Sequence, residues 1–248
     1  MNVLVVGGSG SVGTAVLAHL AKRHRLRVFD LARPAEEVEG IEGVEWIKGD
    51  LFDAAAVGTA AAGLDALIFM AMGPREPWGV ATMAQKHLHI ATAGLYTCLR
   101  AAAENGVRRA VYTSSMSVYR FAAAPGAPTA PLPEEDTPPD AIDFYGLAKR
   151  LGEQVGQAAA KEHGLDVVAL RLCFPVPDKD WPPTDPGVAG IATSGRDTAR
   201  ALDAALAYDH RGFDVFAISG DAAGRMVSID KARRRLGWEP QDPTGVDT

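Results

Sequence analysis

Val3-Leu4-Val5-Val6-Gly7-Gly8-Ser9-Gly10-Ser11-Val12-Gly13 is the stretch that decides how this chain folds. Its first four residues form an unbroken aliphatic run, the pattern of a strand covered on both faces, as in a parallel sheet. The run stops at a glycine-rich turn, and an alanine-rich helix is expected from about Val12 to Lys22. Strand, turn and helix in this order make the first half of a dinucleotide-binding unit. Glycines let the backbone turn tightly and approach a pyrophosphate, to which the helix N-terminus offers N–H groups and the positive end of its dipole. A second strand, Leu26 to Phe29, runs into Asp30. A carboxylate there accepts hydrogen bonds from the adenosine ribose and repels a 2′-phosphate, which favours NAD. Arg33 suits a 2′-phosphate and keeps NADP as the less favoured cofactor.

The alternation of strand and helix continues outward from this unit. Strands are expected at Val44 to Ile47, Leu64 to Met70, Arg109 to Thr113, Val167 to Leu172 and Phe213 to Ile218. Helices are expected from Asp53 to Ala61, Thr82 to Asn105 (ending near Gly106), Tyr145 to His163, Arg196 to Tyr208 and Ile229 to Leu236. The prolines from Pro125 to Asp140 and from Pro175 to Pro186 exclude regular structure there. The fold class is therefore α/β, a Rossmann-type doubly wound parallel sheet. Residues 1–172 carry the nucleotide-binding part, and residues 173–248 complete the sheet and a small substrate-binding portion without being independent.

Composition narrows the partners. Of 248 residues 47% are hydrophobic and 23% charged, which suits a single core of good size. The net charge of −6 and the lack of a long basic block argue against nucleic acid. Cys98 and Cys173 both sit in apolar runs, as free thiols in a reducing compartment do. Met1 leads directly into the first strand and no run approaches the ~20 apolar residues of a membrane span, so a cytoplasmic protein is expected.

The chemistry is carried by Tyr145-Gly146-Leu147-Ala148-Lys149. Residues four apart share one face of a helix, so the phenol and the ammonium face one site. A free tyrosine titrates near pH ~10, and an adjacent cation draws it toward the range of a working acid/base. Upstream, Ser114-Ser115-Met116-Ser117-Val118-Tyr119 follows a strand end, where a parallel sheet gathers its ligands. Ser114 reads as structural, and Tyr119 and Arg120 as ordinary loop residues. Trp78 and Trp181 lie in loops that border the expected crevice and are candidate walls for a substrate. His87 and His89, two apart on a helix, do not face each other; a surface or interface face explains them better than a metal site, and no metal is expected.

Gly7-x-x-Gly10-x-x-Gly13, Asp30, Gly49-Asp50-Leu51, Ser114-Ser115-x-x-Val118-Tyr119 and Tyr145-x-x-x-Lys149 together resemble the extended short-chain dehydrogenases, the NAD-dependent epimerase/dehydratase group. The run Lys231 to Pro240 is similar to that group's C-terminal signature. The resemblance implies an NAD-dependent oxidoreductase or epimerase. In it Ser115 binds the reacting oxygen, Tyr145 moves its proton, and Lys149 binds the nicotinamide ribose and lowers the tyrosine pKa. It also assigns Gly7, Gly10, Ser11, Val12, Gly13 and Ala71 to the cofactor's phosphates and neighbourhood, Asp30 to the ribose, and Asp50 and Leu51 to the adenine.

Within the group, the short C-terminal part, Pro77-Trp78 and Cys173-Phe174-Pro175-x-Pro177 resemble uronate dehydrogenases and related free-sugar dehydrogenases. That subgroup has Asn-His where this chain has Met116-Ser117, and a carboxylate-binding arginine near the place of Trp181. Arg196 and Arg75 are the available substitutes, and Ala91 stands where the group's long helix carries an asparagine. Trp78, Met116, Ser117, Phe174 and Trp181 are accordingly the candidate substrate residues. A small free sugar, sugar acid or similar alcohol is the expected substrate, a sugar or nucleotide-sugar epimerase the nearest alternative, and a non-catalytic dinucleotide sensor the alternative of another class. Ala101 to Ala103 and Ala158 to Ala160 lie on helices that pair across a dimer in this group, so a homodimer is expected, with packing inside one chain as the other explanation.

Overall fold

The structure, a computed structural model, describes residues 1–74, 76–120 and 135–242. In chain order it runs β1 (Asn2–Val6), α1 (Gly13–Leu20), β2 (Arg25–Asp30), α2 (Glu36–Glu39), β3 (Val44–Lys48), α3 (Ala54–Ala61) and β4 (Ala66–Phe69). Then come α4 (Ala81–His89), α5 (Leu95–Glu104), β5 (Arg109–Ser115), α6 (Phe144–His163) and β6 (Asp166–Leu172). The C-terminal part holds β7 (Pro175–Val176), α7 (Pro186–Ala189), β8 (Thr193–Ser194), α8 (Gly195–Ala207) and β9 (Phe213–Ile218). Seven strands pair in the order β3-β2-β1-β4-β5-β6-β9, every pair parallel.

The chain builds outward from β1 to β3, then returns to β4 and builds the other way. The strand order reverses between β1 and β4, and ligands of such sheets bind at the carboxyl ends beside that reversal. Side chains alternate across β1, as strand geometry requires. Val3 and Val5 enter one core layer with Leu17 of α1 and Leu202 of α8, while Leu4 and Val6 enter the other with Val57 of α3 and Leu99 of α5. β9 and Trp238 join the first layer, so residues after 172 share the core of those before it.

Local chemistry sets the helix starts near the crevice. Asp53 caps α3 by accepting from Ala55 and Ala56 N–H at 3.0 Å each. Asp143 caps α6 in the same way, from Tyr145 N–H at 3.1 Å and Gly146 N–H at 2.9 Å, which fixes where Tyr145 enters its first turn. The helix expected from Thr82 to Asn105 is interrupted: α4 and α5 are joined by a π-helical turn, Ile90–Gly94, which contains Ala91. Such wide turns are common at functional sites. The last helix is a π-helical turn as well, Ala232–Leu236. The expectations at Pro125 to Pro133 fall outside the described residues. Among the described residues, no helix is long and apolar enough to cross a membrane.

Ala102 and Ala159 are fully buried within the single chain, where α5 packs against α6, so packing inside one chain accounts for them; Ala158 is exposed. Both cysteines are buried free thiols, each pushed up to about 12 by burial.

Candidate active site

A cavity of about 440 Å³ opens at the carboxyl ends of β1, β4 and β5, where the strand order reverses. At one end the walls are mostly backbone. Gly7 has φ +81°, and a Cβ there would lie 2.4 Å from the Ala71 backbone. At Gly13 a Cβ would lie 1.8 Å from the Gly8 carbonyl oxygen. Gly10, Ser11, Val12, Ala71 and Leu51 line the same end. Asp30 closes it, its carboxylate accepting from Ser9 N–H at 2.9 Å and Ala32 N–H at 3.1 Å. Arg33 turns elsewhere, paired with Glu39 and lying 4.6 Å over the Trp46 ring. A bare glycine turn at a helix start with a carboxylate beyond it fits an adenosine diphosphate carrying a free 2′-hydroxyl. Asp50 is exposed and does not line the cavity; its carboxylate caps its own loop by accepting from Phe52 N–H at 3.0 Å.

The other end is made of side chains. Thr113, Ser114 and Ser115 reach it from the end of β5, and Tyr145 and Lys149 from α6. Lys149 is buried, and its Nζ donates to the Thr113 carbonyl at 2.6 Å. The same Nζ lies 5.8 Å from the centre of the Tyr145 ring and 5.2 Å from that of Tyr112. Burial pulls the lysine down to about 8, against the opposing pull of Glu153. Ser115 Oγ accepts from Ser117 N–H at 3.1 Å, which orients the hydroxyl at the strand end.

Beneath the lysine lies a network that sequence reading missed. Glu153 and Arg171, both buried, pair through two bonds of 2.9 and 2.8 Å. Ser114 Oγ donates to the same carboxylate at 2.6 Å, and Arg171 reaches the Tyr119 hydroxyl. Tyr119 is therefore a buried member of this network and not an ordinary loop residue; burial pushes its phenol up to about 12. The signals were present in the sequence. Glu153 is four residues after Lys149 on one helix face, and Arg171 is the one charge in the apolar run Val167 to Leu172, which demands a buried partner.

Of the candidate substrate residues, one reaches the acid/base. Trp78, 53% exposed, sits with its ring 5.7 Å from that of Tyr145 and 4.9 Å from that of Phe144. Met116 is buried in the core, packed away by the short 3-10 turn that follows β5, and does not line the cavity. Ser117 faces the start of α6, where Gly146 leaves room for its carbonyl, and also lies off the cavity. Phe174 is exposed with φ +38°, a conformation rare for a non-glycine residue, and Trp181 is half-buried; neither lines the cavity, whereas Leu172 and Pro175, either side of Phe174, and Thr198 of α8 do. Arg196 is held by Asp242 at 3.1 Å, and Arg75 lies outside the described residues. His87 is not on the surface: it is buried against Tyr145, while His89 is exposed beside Phe52.

A parallel sheet with a glycine cradle, an acidic ribose partner and a tyrosine–lysine pair at one crevice defines a short-chain dehydrogenase-type enzyme. Residues 3–180 match the model of the NAD dependent epimerase/dehydratase family, and the chain belongs to that family, with NAD as its cofactor. It is 28% identical over 254 residues to an NAD-dependent glucose-6-phosphate dehydrogenase of Haloferax volcanii, covering 97% of this chain and 93% of that protein. It is 32% identical over 249 residues to a 2-alkyl-3-oxoalkanoate reductase of Stenotrophomonas maltophilia, covering 92% of this chain and 70% of that one. Among solved structures, a mutated uronate dehydrogenase superposes with a TM-score of 0.80 at 25% identity, over 99% of this chain and 83% of its own.

Proposed function

We propose that this enzyme is a dehydrogenase that oxidises a hydroxyl of a free sugar or a similar small polyol, acting in the cytoplasm as a homodimer. One observation carries the assignment of roles: Lys149 is buried at the cavity wall, tied to Thr113 and facing the Tyr145 ring, at the opposite end from the Asp30 cradle. The Haloferax sugar-phosphate dehydrogenase and the uronate dehydrogenase structure, matched over nearly the whole chain, support a sugar-like substrate.

NAD, when bound, accepts the hydride of the carbinol carbon. The residues of this chain do the rest. Gly7, Gly10 and Gly13 admit the pyrophosphate, Asp30 holds the adenosine ribose, and Lys149 holds the second ribose. Ser115 Oγ donates to the substrate oxygen, and Tyr145 takes the hydroxyl proton as its general base. The cation at Lys149 favours the phenolate that this step requires.

The test is NADH appearance when the purified protein meets NAD and a panel of free aldoses, uronic acids and nucleotide sugars. Steady accumulation with a free sugar is expected. NAD binding without NADH from any of them sinks the dehydrogenase reading; chromatography of the same tubes then separates an epimerase, which leaves an isomer, from a sensor, which leaves nothing. Tyr145→Phe is expected to lower turnover by about 10³-fold or more while NAD affinity stays within a few-fold. Unchanged turnover would remove Tyr145 from the mechanism.

A further inference from the structure

His87 lies on α4, a helix that contributes no residue before Ile90 to the main cavity, yet its ring is among the most enclosed polar groups near the reaction centre, 3% exposed. It meets the Tyr145 ring almost at right angles, 81° between planes, with centres 5.6 Å apart. Phe144 at 5.5 Å and Trp78 at 5.8 Å enclose it from the other sides. Its Nε2 is 3.1 Å from the Pro74 carbonyl, and a carbonyl only accepts, so Nε2 carries the hydrogen. Gly73 makes room for it: a Cβ there would lie 2.4 Å from His87 Cδ2. Gly73 and Pro74 both line the main cavity. Burial and the nearby Lys149 cation both lower the histidine pKa, so the ring is held neutral.

Tyr145 stands in the first turn of α6, where Asp143 holds the backbone and Lys149, one turn on, lies 5.8 Å from the ring centre. A ring placed against the phenol from a neighbouring helix, and itself pinned by a hydrogen bond, constrains it from outside α6. Edge-to-face aromatic pairs favour one orientation over others. Misplacing an acid/base by about 1 Å costs on the order of 10²-fold in rate.

We propose that His87 is a positioning residue for Tyr145: its ring holds the angle of the phenol, and its Nε2–H, anchored on Pro74, ties that angle to the segment 73–74 at the cavity wall. The inference rests on the assignment of Tyr145 as acid/base. It touches neither substrate nor cofactor and acts only through the tyrosine.

The test reads the phenol directly. With NAD bound, the ultraviolet difference between the protein and its Tyr145→Phe variant is titrated against pH, in the wild-type background and with His87 replaced. His87→Ala is expected to move the Tyr145 midpoint by about half a unit or more and to lower kcat about tenfold, with the KM for NAD within about twofold. His87→Phe, which keeps a ring and loses the N–H, should recover part of both, the remainder being the share of the bond to Pro74. His87→Gln, which keeps an N–H for Pro74 and loses the ring, should not, and it carries the same expectation if the alanine variant fails to fold. An unmoved midpoint in the alanine or glutamine variant, or a loss in the phenylalanine variant equal to theirs, overturns the proposal. The titration needs no substrate: a panel without turnover sinks the sugar assignment, while His87 still stands or falls on the tyrosine midpoint.

Discussion

The two ends of the cavity are built by different means. The cofactor end is backbone: three glycines, a helix start and one carboxylate, all within the first 30 residues. The other end is side chains brought from β5 and α6, Thr113 to Ser115 with Tyr145 and Lys149, and behind the tyrosine stand His87 of α4 and Trp78, which do not line the cavity. A backbone cradle tolerates nothing added, because there is no flexible atom to give way. A side-chain wall tolerates exchange, because each ring has neighbours that share its work.

That contrast orders the tests. The largest effect on NAD affinity is expected at Gly13→Ala, whose new Cβ would lie 1.8 Å from the Gly8 carbonyl. The turn must open to admit it, and NAD affinity should fall by about 100-fold or more. Calorimetric titration, with circular dichroism to confirm folding, checks this; an affinity within threefold of wild type would show that the cradle is pliable after all.

Lys149 sets function against stability. Its pKa is near 10.5 in the unfolded chain and about 8 in the fold, so the unfolded state binds more protons between those values and stability rises with pH across that window. Below pH 8 the full burial cost is present. Lys149→Met should abolish turnover yet stabilise the cofactor-free protein at pH 7 by on the order of 2 kcal/mol, the burial cost less the lost bond to Thr113. The gap should narrow as pH rises from 8 to 10. Thermal melts of both proteins across that range give the answer, and a gap that stays constant with pH would show that lysine burial is not its source.

Asp30→Ala probes the cradle without adding an atom. Loss of the carboxylate removes the repulsion of a 2′-phosphate, and the preference for NAD over NADP should drop about tenfold. Arg33 is held by Glu39 and Trp46, so it does not by itself convert the site. A wild type that already binds NADP more tightly would sink the cofactor assignment.

The same contrast explains what the sequence disclosed. The place of Gly7, Gly13 and Asp30 at the cavity was legible because a turn and a helix start are local, and a glycine there has few other reasons to exist. The strands were legible for the same reason, Phe213–Ile218 to the residue. That Tyr145 and Lys149 share one cavity was legible because one helix sets their spacing. His87 was not, since its role depends on two helices meeting, and spacing along α4 says only that it does not face His89. Met116 and Ser117 were misplaced because a 3-10 turn after β5 turned the chain into the core, a change that adjacency to Ser115 does not reveal.

The smallest effect is expected at Trp78, and it decides which side of the contrast that ring belongs to. Half exposed beside Tyr145 and packed on Phe144, though not itself lining the cavity, its ring has a flat apolar face that a sugar ring could stack on. Stacking of that kind contributes about 1 kcal/mol, so Trp78→Ala should raise the substrate KM about fivefold and leave NAD affinity unchanged. Trp78→Phe should keep most of the effect. The ring also lies 5.8 Å from His87 and 5.7 Å from Tyr145, which gives it a second route to the chemistry. A fall in kcat at constant KM would remove Trp78 from the substrate wall and place it, with His87, in the packing that holds the phenol.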